Sequence, residues 1–480
     1  MNILFRSVSS ANPQSRIKNN LIITSGAAIF AQCFNVVASP ILTRLYSPEE
    51  FGLFSLYLSI FSVLAVTASL RFEMLIPNSN SSSQALGATK LSLVACISSS
   101  ACLFAFFNLT DLRHLIFKDD GQLLTYLLCM GVMSFGILQI ATFYFVSRNE
   151  LKYGASAKVI QAVVTVLLTI VFSMLAGIKH GLVMGYVSGT IVAAIFISIH
   201  LVGHINKLRT SITDVSNLLR KYSGLIIYGV PGAVISALGV QLVPLALFYW
   251  HSAGLAGQYG LTYRILGAPA AFMGQAIFQS LFPEIKDQDS DINRLKKVLA
   301  IISIAPIVFC ISTALLGRYI IPEVFGSHWM MAGQLSEIFS SVFLVSFISS
   351  PLSAIAIMKN QQKKSLIIAI IENFTRILIL YALTKSDNVV LVLCVYCTAS
   401  VVIHLLYMRW VLGMLGLGII DTYLPVVKMM CPLLVTALVL KMVVMYSTNH
   451  GTYIAVASVW GILVFGSSIL FIRRKAWKVL

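Results

Sequence analysis

Residues 365–384 read SLIIAIIENFTRILILYALT, a stretch that is long and apolar enough to cross a bilayer yet carries two opposite charges near its middle. The charges are Glu372 and Arg376. A charged side chain at bilayer depth costs at least ~2.5–3.5 kcal/mol on insertion scales, so such residues face a bundle interior or a water-filled cavity. Their spacing of four residues places them on one helix face, where they can neutralise each other. The stretch therefore predicts a membrane helix whose polar face serves the movement of something polar.

The whole chain has the composition of a polytopic membrane protein. Hydrophobic residues make up 58% of it and charged residues 11%, whereas soluble domains have about 45–50% and about 25%. Apolar stretches of about 18–25 residues recur from end to end. They predict about fourteen transmembrane helices, at residues 21–43, 51–70, 86–107, 122–146, 159–178, 181–203, 225–249, 260–282, 298–316, 334–357, 366–384, 389–410, 424–446 and 452–472. The predicted fold class is an all-α polytopic membrane protein.

The distribution of Lys and Arg predicts the orientation of these helices. With strict alternation, 25 of the 34 basic residues fall on the side of the N-terminus and 6 on the opposite side. Both termini are therefore predicted to be cytoplasmic. The net charge of +17 arises mainly from the basic residues of the predicted cytoplasmic loops. Because no compact basic domain exists to dock a duplex, a nucleic-acid partner is not expected.

The longest cytoplasmic link, at residues 204–224, predicts a hinge between two six-helix lobes. We place the N-lobe at 1–212, the C-lobe at 213–412 and an appended helix pair at 413–480. The lobes begin alike: Pro40 corresponds to Pro244 at a shift of 204 residues, and Phe51-Gly52-Leu53 corresponds to Tyr259-Gly260-Leu261 at a shift of 208. Chance similarity is the alternative. A true repeat would be related by an axis along the membrane normal, and transporters of that kind bind their substrate between the lobes.

Polar side chains line one face of predicted helix 1 and one face of predicted helix 8. Gln32 and Asn35 share a face of helix 1, and Arg264, Gln275 and Gln279 share a face of helix 8. Together they could line a polar central cavity. The alternatives are ordinary hydrogen bonds between helices and, for Arg264, snorkelling to the nearby interface.

Two further charges, Arg71 and Glu73, stand at the inner end of predicted helix 2. Residues two apart do not face each other on a helix. Either these two residues meet different partners, or the helix is already breaking before Pro77. The third interpretation is that they anchor the helix at the membrane interface. We assign gating or ion coupling to Glu73, Glu372 and Arg376. His200 and His404 lie within helices, but the sequence names no partner for either one.

Several functional classes lack their signatures here. No G-x-x-x-x-G-K-[ST] loop, HExxH motif or Cys/His metal cluster occurs. We therefore expect neither an enzyme nor a bound metal or cofactor. A channel is disfavoured because no segment resembles a selectivity filter.

Several segments carry a resemblance to a family. They are LIITSGAAIFAQCFNVVASPILTRLYSPEEFGLFSLYLSIFSVLAV at 21–66, SLRFEMLIP at 69–77, FYFVSRNELKYGASAK at 143–158, and the later GQYGLTYRILGAPAAFMGQAIFQSLFPEI and IAIMKNQQKKSL. Together they resemble bacterial polysaccharide-repeat flippases, the O-antigen (Wzx-type) translocases of the multidrug/oligosaccharidyl-lipid/polysaccharide (MOP) superfamily. The most specific part is 43–77, and the likeness spans nearly the whole chain.

The resemblance implies two helical lobes around a central cavity in the bacterial inner membrane. The implied substrate is an undecaprenyl-diphosphate-linked oligosaccharide, with bilayer lipids, a polysaccharide polymerase and a chain-length regulator as partners. A diphosphate needs cations, and a glycan needs amide and hydroxyl groups. The first could come from Arg71, Lys90, Arg264 and Arg376, and the second from Gln32, Asn35, Gln275 and Gln279.

The expected mechanism is alternating access, either facilitated or coupled to a proton or Na⁺ at Glu372 or Glu73. A multidrug/cation antiporter and a peptidoglycan-precursor flippase of the same superfamily are the alternatives. The antiporter would need an acidic cavity, whereas Arg264, Arg376 and Lys441 make the intramembrane balance basic. A membrane glycosyltransferase would need acidic catalytic residues and a large outer loop, and the longest predicted outer loop is only 317–333.

Overall fold

The computed structural model describes residues 13–79, 81–110, 112–117, 121–175, 180–205, 229–267, 292–352, 355–356, 361–386 and 388–424, with single positions between 216 and 227 and between 435 and 442. Every regular element in these residues is helical. The α-helices are α1 (Pro13–Leu45), α2 (Pro48–Thr67), α3 (Ser82–Leu109), α4 (Leu112–Phe117), α5 (Gly121–Ser147), α6 (Leu151–Met174), α7 (Gly181–Ile205), α8 (Gly229–Trp250), α9 (253–267), α10 (Ile292–Phe325), α11 (Met330–Ser349), α12 (Gln362–Tyr381) and α13 (Val389–Gly413).

Eleven helices of this described part are long and apolar enough to cross a membrane. They correspond in order to predicted helices one to seven and nine to twelve. The all-α polytopic fold class is therefore confirmed. Predicted helix 8 overlaps α9, and the structure describes this helix only as far as residue 267. Predicted helices 13 and 14 lie almost entirely outside the described residues.

The chain divides into two compact units, and each is described by itself. Unit 1 is Met1–Ala38 with Leu56–Gln241, and unit 2 is Ser39–Ser55 with Leu242–Leu480. In unit 1, α5 packs against α3, α6 and α7. In unit 2, α11 packs against α10 and α13, and α13 also packs against α12. The lobes at 1–212 and 213–412 and the helix pair at 413–480 stay a prediction.

The start of α2 lies at Pro48, three residues before the predicted start, because a capping box forms there. The Glu50 backbone N–H donates to the Ser47 hydroxyl (3.3 Å), and the Ser47 backbone N–H donates to the Glu50 carboxylate (2.9 Å). This reciprocal pair satisfies two donors at the helix start, and Pro48 occupies the first helical position, where no N–H is needed. Polar residues that hydropathy excludes from a membrane span thus extend the helix.

A buried tryptophan ties this part of the chain into unit 2. Trp329 is fully buried, and its Nε1–H donates to the carbonyl of Thr43 at the end of α1 (3.0 Å). Its ring meets that of Phe51 edge-on, with centroids 4.9 Å apart. Gln258 of α9 donates to the carbonyl of His328 beside it (2.6 Å). The end of α1 and the start of α2 therefore share a core with α9 and α11.

Candidate functional site

The two charges of α12 form an ion pair inside the membrane-spanning stretch. Arg376 Nη2 lies 2.5 Å from Glu372 Oε1, and the two side chains are only 14% and 18% exposed. Residues on the other faces of α12, such as Phe374 and Leu378, are exposed apolar side chains suited to lipid. Glu372 lies ten residues after Gln362, which at 1.5 Å per residue is ~15 Å into the helix. The pair that the spacing predicts is thus formed deep in the helix.

Helix α13 holds the guanidinium from a second direction. Arg376 Nε donates to the Ser400 hydroxyl (3.3 Å). The guanidinium carbon also lies 5.6 Å from the centroid of the Tyr396 ring, within reach of a cation–π attraction. Arg376 is therefore bound by a carboxylate, a hydroxyl and an aromatic face.

A histidine completes this group, and sequence reasoning named no partner for it. His404 Nδ1 of α13 lies 2.9 Å from the Ser400 carbonyl oxygen and 3.4 Å from Glu372 Oε1. Its Nε2 lies 3.1 Å from the Ser346 hydroxyl of α11. Polar side chains of α11, α12 and α13 thus meet at one place. We call the set Ser346, Glu372, Arg376, Ser400 and His404 the α12–α13 network.

In unit 1 the C-terminal end of α2 departs from the prediction. The helix ends at Thr67 instead of residue 70, and Leu70 and Arg71 have left-handed backbone angles, with φ of 51° and 63°. A single 3₁₀ turn, Phe72–Leu75, follows. Of the alternatives left open for Arg71 and Glu73, the broken helix is the one that occurs. Positive φ is uncommon for residues with a Cβ and is held by the surrounding packing.

The break turns Glu73 into the interior of unit 1. Its side chain is 1% exposed and accepts hydrogen bonds from the Ser69 hydroxyl and from Gln139 Nε2 of α5 (3.4 Å). Gln139 lies eight residues before the end of α5, or ~12 Å along it. Arg71 Nε is buried and donates to no described residue. Glu73 is therefore a buried carboxylate held by neutral donors.

The other predicted cavity residues divide between the two units. Gln32 and Asn35 of α1 and Lys90 of α3 are half-buried in unit 1, and Arg264 of α9 is half-buried in unit 2. Gln275 and Gln279 lie outside the described residues. The roles of all these residues stay predictions.

Unit 2 also contains a cavity of about 810 Å³ beside the end of α1 and the starts of α2 and α9. Arg44, Tyr46, His251 and His328 contribute to its lining. Burial, helped by the charge of Glu50, raises the pKa of Tyr46 to about 12.

Comparison with known proteins gives a consistent result. The sequence matches the family model described as "Polysaccharide biosynthesis protein" over residues 41–334. No curated protein matches it. Among solved structures it is similar to "Lipid II flippase MurJ, inward closed conformation", with a TM-score of 0.70, 15% identity and coverage of 95% of this chain and 100% of that one.

Two multidrug transporters share the fold as well. An inward-facing multidrug resistance MATE family transporter of the MOP superfamily has a TM-score of 0.60 and 12% identity, covering 80% of this chain and 94% of its own. The MATE multidrug transporter DinF-BH has a TM-score of 0.57 and 15% identity, covering 84% and 96%. At these identities the likeness shows the fold alone.

Proposed function

Since the chain belongs to the family of polysaccharide biosynthesis proteins, we propose that it is a flippase that translocates undecaprenyl-diphosphate-linked oligosaccharide repeat units, of O-antigen or another surface polysaccharide, across the bacterial inner membrane. Its contribution to biosynthesis is transport, not catalysis. The many membrane-spanning helices and the transporter fold support this. A polysaccharide polymerase and a chain-length regulator would receive the exported unit.

The single observation that carries the proposal is the α12–α13 network. A guanidinium and a carboxylate are kept within a membrane-spanning helix although charge there is costly. Arg376 presents a planar fork of donors, which suits the oxygens of a phosphate as well as those of the Glu372 carboxylate. A diphosphate head could therefore take over the place of Glu372 without a change in the chemistry of the contact.

The remaining polar residues extend this site in the proposal. Arg71, Lys90 and Arg264 add positive charge for the diphosphate. The amides of Gln32, Asn35, Gln275 and Gln279 serve the glycan hydroxyls. The prenyl chain stays in the bilayer.

The proposed mechanism is alternating access by the two lobes, 1–212 and 213–412, with both termini in the cytoplasm. With the inside negative, each negative charge that moves outward gains about 2.3 kcal/mol per 100 mV. A head with net negative charge is thus driven outward by the membrane potential, and facilitated transport suffices. Coupling through a proton or Na⁺ at Glu372 or Glu73 is the alternative.

A gene deletion with complementation tests the proposal. The deletion should leave lipid-linked single repeats on the cytoplasmic leaflet and remove surface glycan. Wild-type protein should restore export, and Arg376→Ala at equal protein level should not. The matched control is Lys385→Ala, which removes an exposed cation just beyond α12 whose Nζ lies 5.9 Å from the Tyr381 ring; it should restore export fully.

Other outcomes would replace the proposal. Normal surface glycan with raised sensitivity to cationic dyes would indicate a multidrug/cation antiporter. Normal surface glycan with arrested export of the peptidoglycan precursor would indicate a peptidoglycan-precursor flippase. Full complementation by Arg376→Ala would remove the substrate and gating roles of that residue.

A further inference from the structure

The α12–α13 network contains a titratable group to which the transport proposal gives no task. His404 and Arg376 both contact the same atom, Glu372 Oε1, at 3.4 and 2.5 Å. A carboxylate oxygen shared by a permanent cation and a histidine is a place where one added proton redistributes the contacts. The imidazole is the side chain whose charge changes most readily near neutral pH.

The surroundings accept His404 in both protonation states. In the neutral ring with Nδ1–H, that group donates to the Ser400 carbonyl (2.9 Å) while Nε2 accepts from the Ser346 hydroxyl (3.1 Å). A proton from solution then binds the lone pair of Nε2, and the new Nε2–H donates to the same hydroxyl after it rotates.

Among the residues that the structure describes, the charges around this place are few. Arg376 and Glu372 face it from α12, and Tyr396 and Cys397 lie beside them on α13. Tyr259 of α9 also lies within electrostatic reach of Arg376. From α11 the contact is the neutral Ser346. With His404 neutral, the ion pair leaves the group without net charge, so the proton adds one positive charge at membrane depth.

We propose that His404 is a proton-binding site that competes with Arg376 for Glu372, so that protonation frees the guanidinium for a phosphate of the lipid-linked substrate. The inference rests on the proposed function, because it requires an anionic head at Arg376. The arriving anion compensates the added positive charge. By linkage, the proton then strengthens diphosphate binding, and diphosphate strengthens proton binding by the same factor.

The chain contains a matched control histidine. His200 of α7 has its Nδ1 2.9 Å from the carbonyl of Phe196, the same contact four residues back along the helix. Its ring packs against that of Tyr153, with centroids 4.6 Å apart. No ion pair joins His200 within the described part of the chain. It shares the burial and backbone contact of His404 without the carboxylate.

The test is calorimetric binding of undecaprenyl diphosphate linked to one sugar, whose diester diphosphate does not titrate between about pH 6 and about pH 8, to the full-length protein in detergent micelles near those two pH values. Repeating the titration in two buffers with different heats of ionisation measures how many protons the protein takes up on binding. Wild type and His200→Gln should bind more tightly at the lower pH, by at most about tenfold per pH unit for one linked proton, and should take up protons on binding. His404→Gln should bind with neither effect. Glu372→Gln, in which Arg376 is already free, should bind tightly at both pH values.

The outcomes separate the two proposals. If His404→Gln keeps the wild-type pH dependence and proton uptake, or Glu372→Gln stays pH-dependent, the His404 switch is wrong and the flippase proposal stands. If wild type binds no sugar-linked undecaprenyl diphosphate, both fall. Should His404→Gln fail to fold, Glu372→Gln against wild type decides alone.

Discussion

Replacing Gly52 with alanine tests how closely the start of α2 packs on α9. A Cβ at this position would lie 1.8 Å from the Ala253 carbonyl oxygen, whereas real Cβ contacts are essentially never below 3.0 Å. The helices must therefore separate by at least the difference, about 1.2 Å. The obstacle is backbone, so no side-chain rotation can relieve it. Overpacking of this kind costs ~1–3 kcal/mol.

Thermal unfolding of the detergent-solubilised protein measures the effect. Gly52→Ala should lower the melting temperature by several degrees, because the separation also loosens the contact of Phe51 with Trp329. The control is Gly26→Ala in α1, where a Cβ meets nothing within 4 Å. Since alanine favours a helix over glycine by roughly 0.5–1 kcal/mol, this control should melt at or above the wild-type temperature.

A second substitution in the same interface sharpens the test. A Cβ at Gly257 would lie 1.8 Å from the Pro48 carbonyl oxygen. Once one alanine has separated the helices, the other meets less resistance, so the double variant should lose less stability than the two single losses together. The reasoning would be refuted if Gly52→Ala melted at the same temperature as Gly26→Ala. It would also be refuted if the double variant lost as much stability as the two single variants together.

Three other expectations follow from the contacts. Trp329→Phe removes the hydrogen bond to the Thr43 carbonyl (3.0 Å) and leaves a buried acceptor, so it should lower the melting temperature by an amount equivalent to ~1–3 kcal/mol; an unchanged temperature would contradict this. Exchanging Glu372 and Arg376 should recover part of the glycan export that either single charge reversal abolishes, and no recovery would reject their pairing as the relevant contact. Because the pKa of Tyr46 is about 12 in the folded protein against 10.0 ordinarily, the unfolded chain loses this proton first, and stability should fall between these pH values. Tyr46→Phe should lose less stability over that range in denaturation series, and identical profiles would count against the burial argument.

Hydropathy predicts the existence of membrane helices better than their bounds. The ends of α2 differ because a capping box adds Pro48 at one end and left-handed residues stop the helix at the other. Helix α10 extends past Arg318 to Phe325, beyond the predicted end at 316. Arg318 lies within electrostatic reach of Glu337 on α11. A hydropathy profile carries no information about such a neighbour from another helix. Caps and tertiary partners thus decide where helices stop.

The candidate site divides in the same way. Glu372 and Arg376 are four residues apart, so local helix geometry alone brings them together. His404 and Glu73 depend on neighbours from other helices, Ser346 and Gln139 among them. Such contacts leave no local pattern in the sequence. The one available signal was a histidine in a neighbouring membrane helix, which could have been considered as a partner of the charged pair. The family match confirms that the chain belongs to the polysaccharide biosynthesis proteins, as the resemblance implied.

The close contacts of α2 with α9 also bear on the predicted internal repeat. The pairs in close contact are Pro48 with Gly257, Gly52 with Ala253 and Ser55 with Gly260, separated by 209, 201 and 205 positions. The two halves of the sequence are predicted to repeat at a shift of 204 to 208 positions, with chance similarity as the alternative. At the shift of 208 that relates Gly52 to Gly260, Pro48 and Ser55 pack within about a turn of their predicted counterparts, whereas Gly52 packs about two turns from its own.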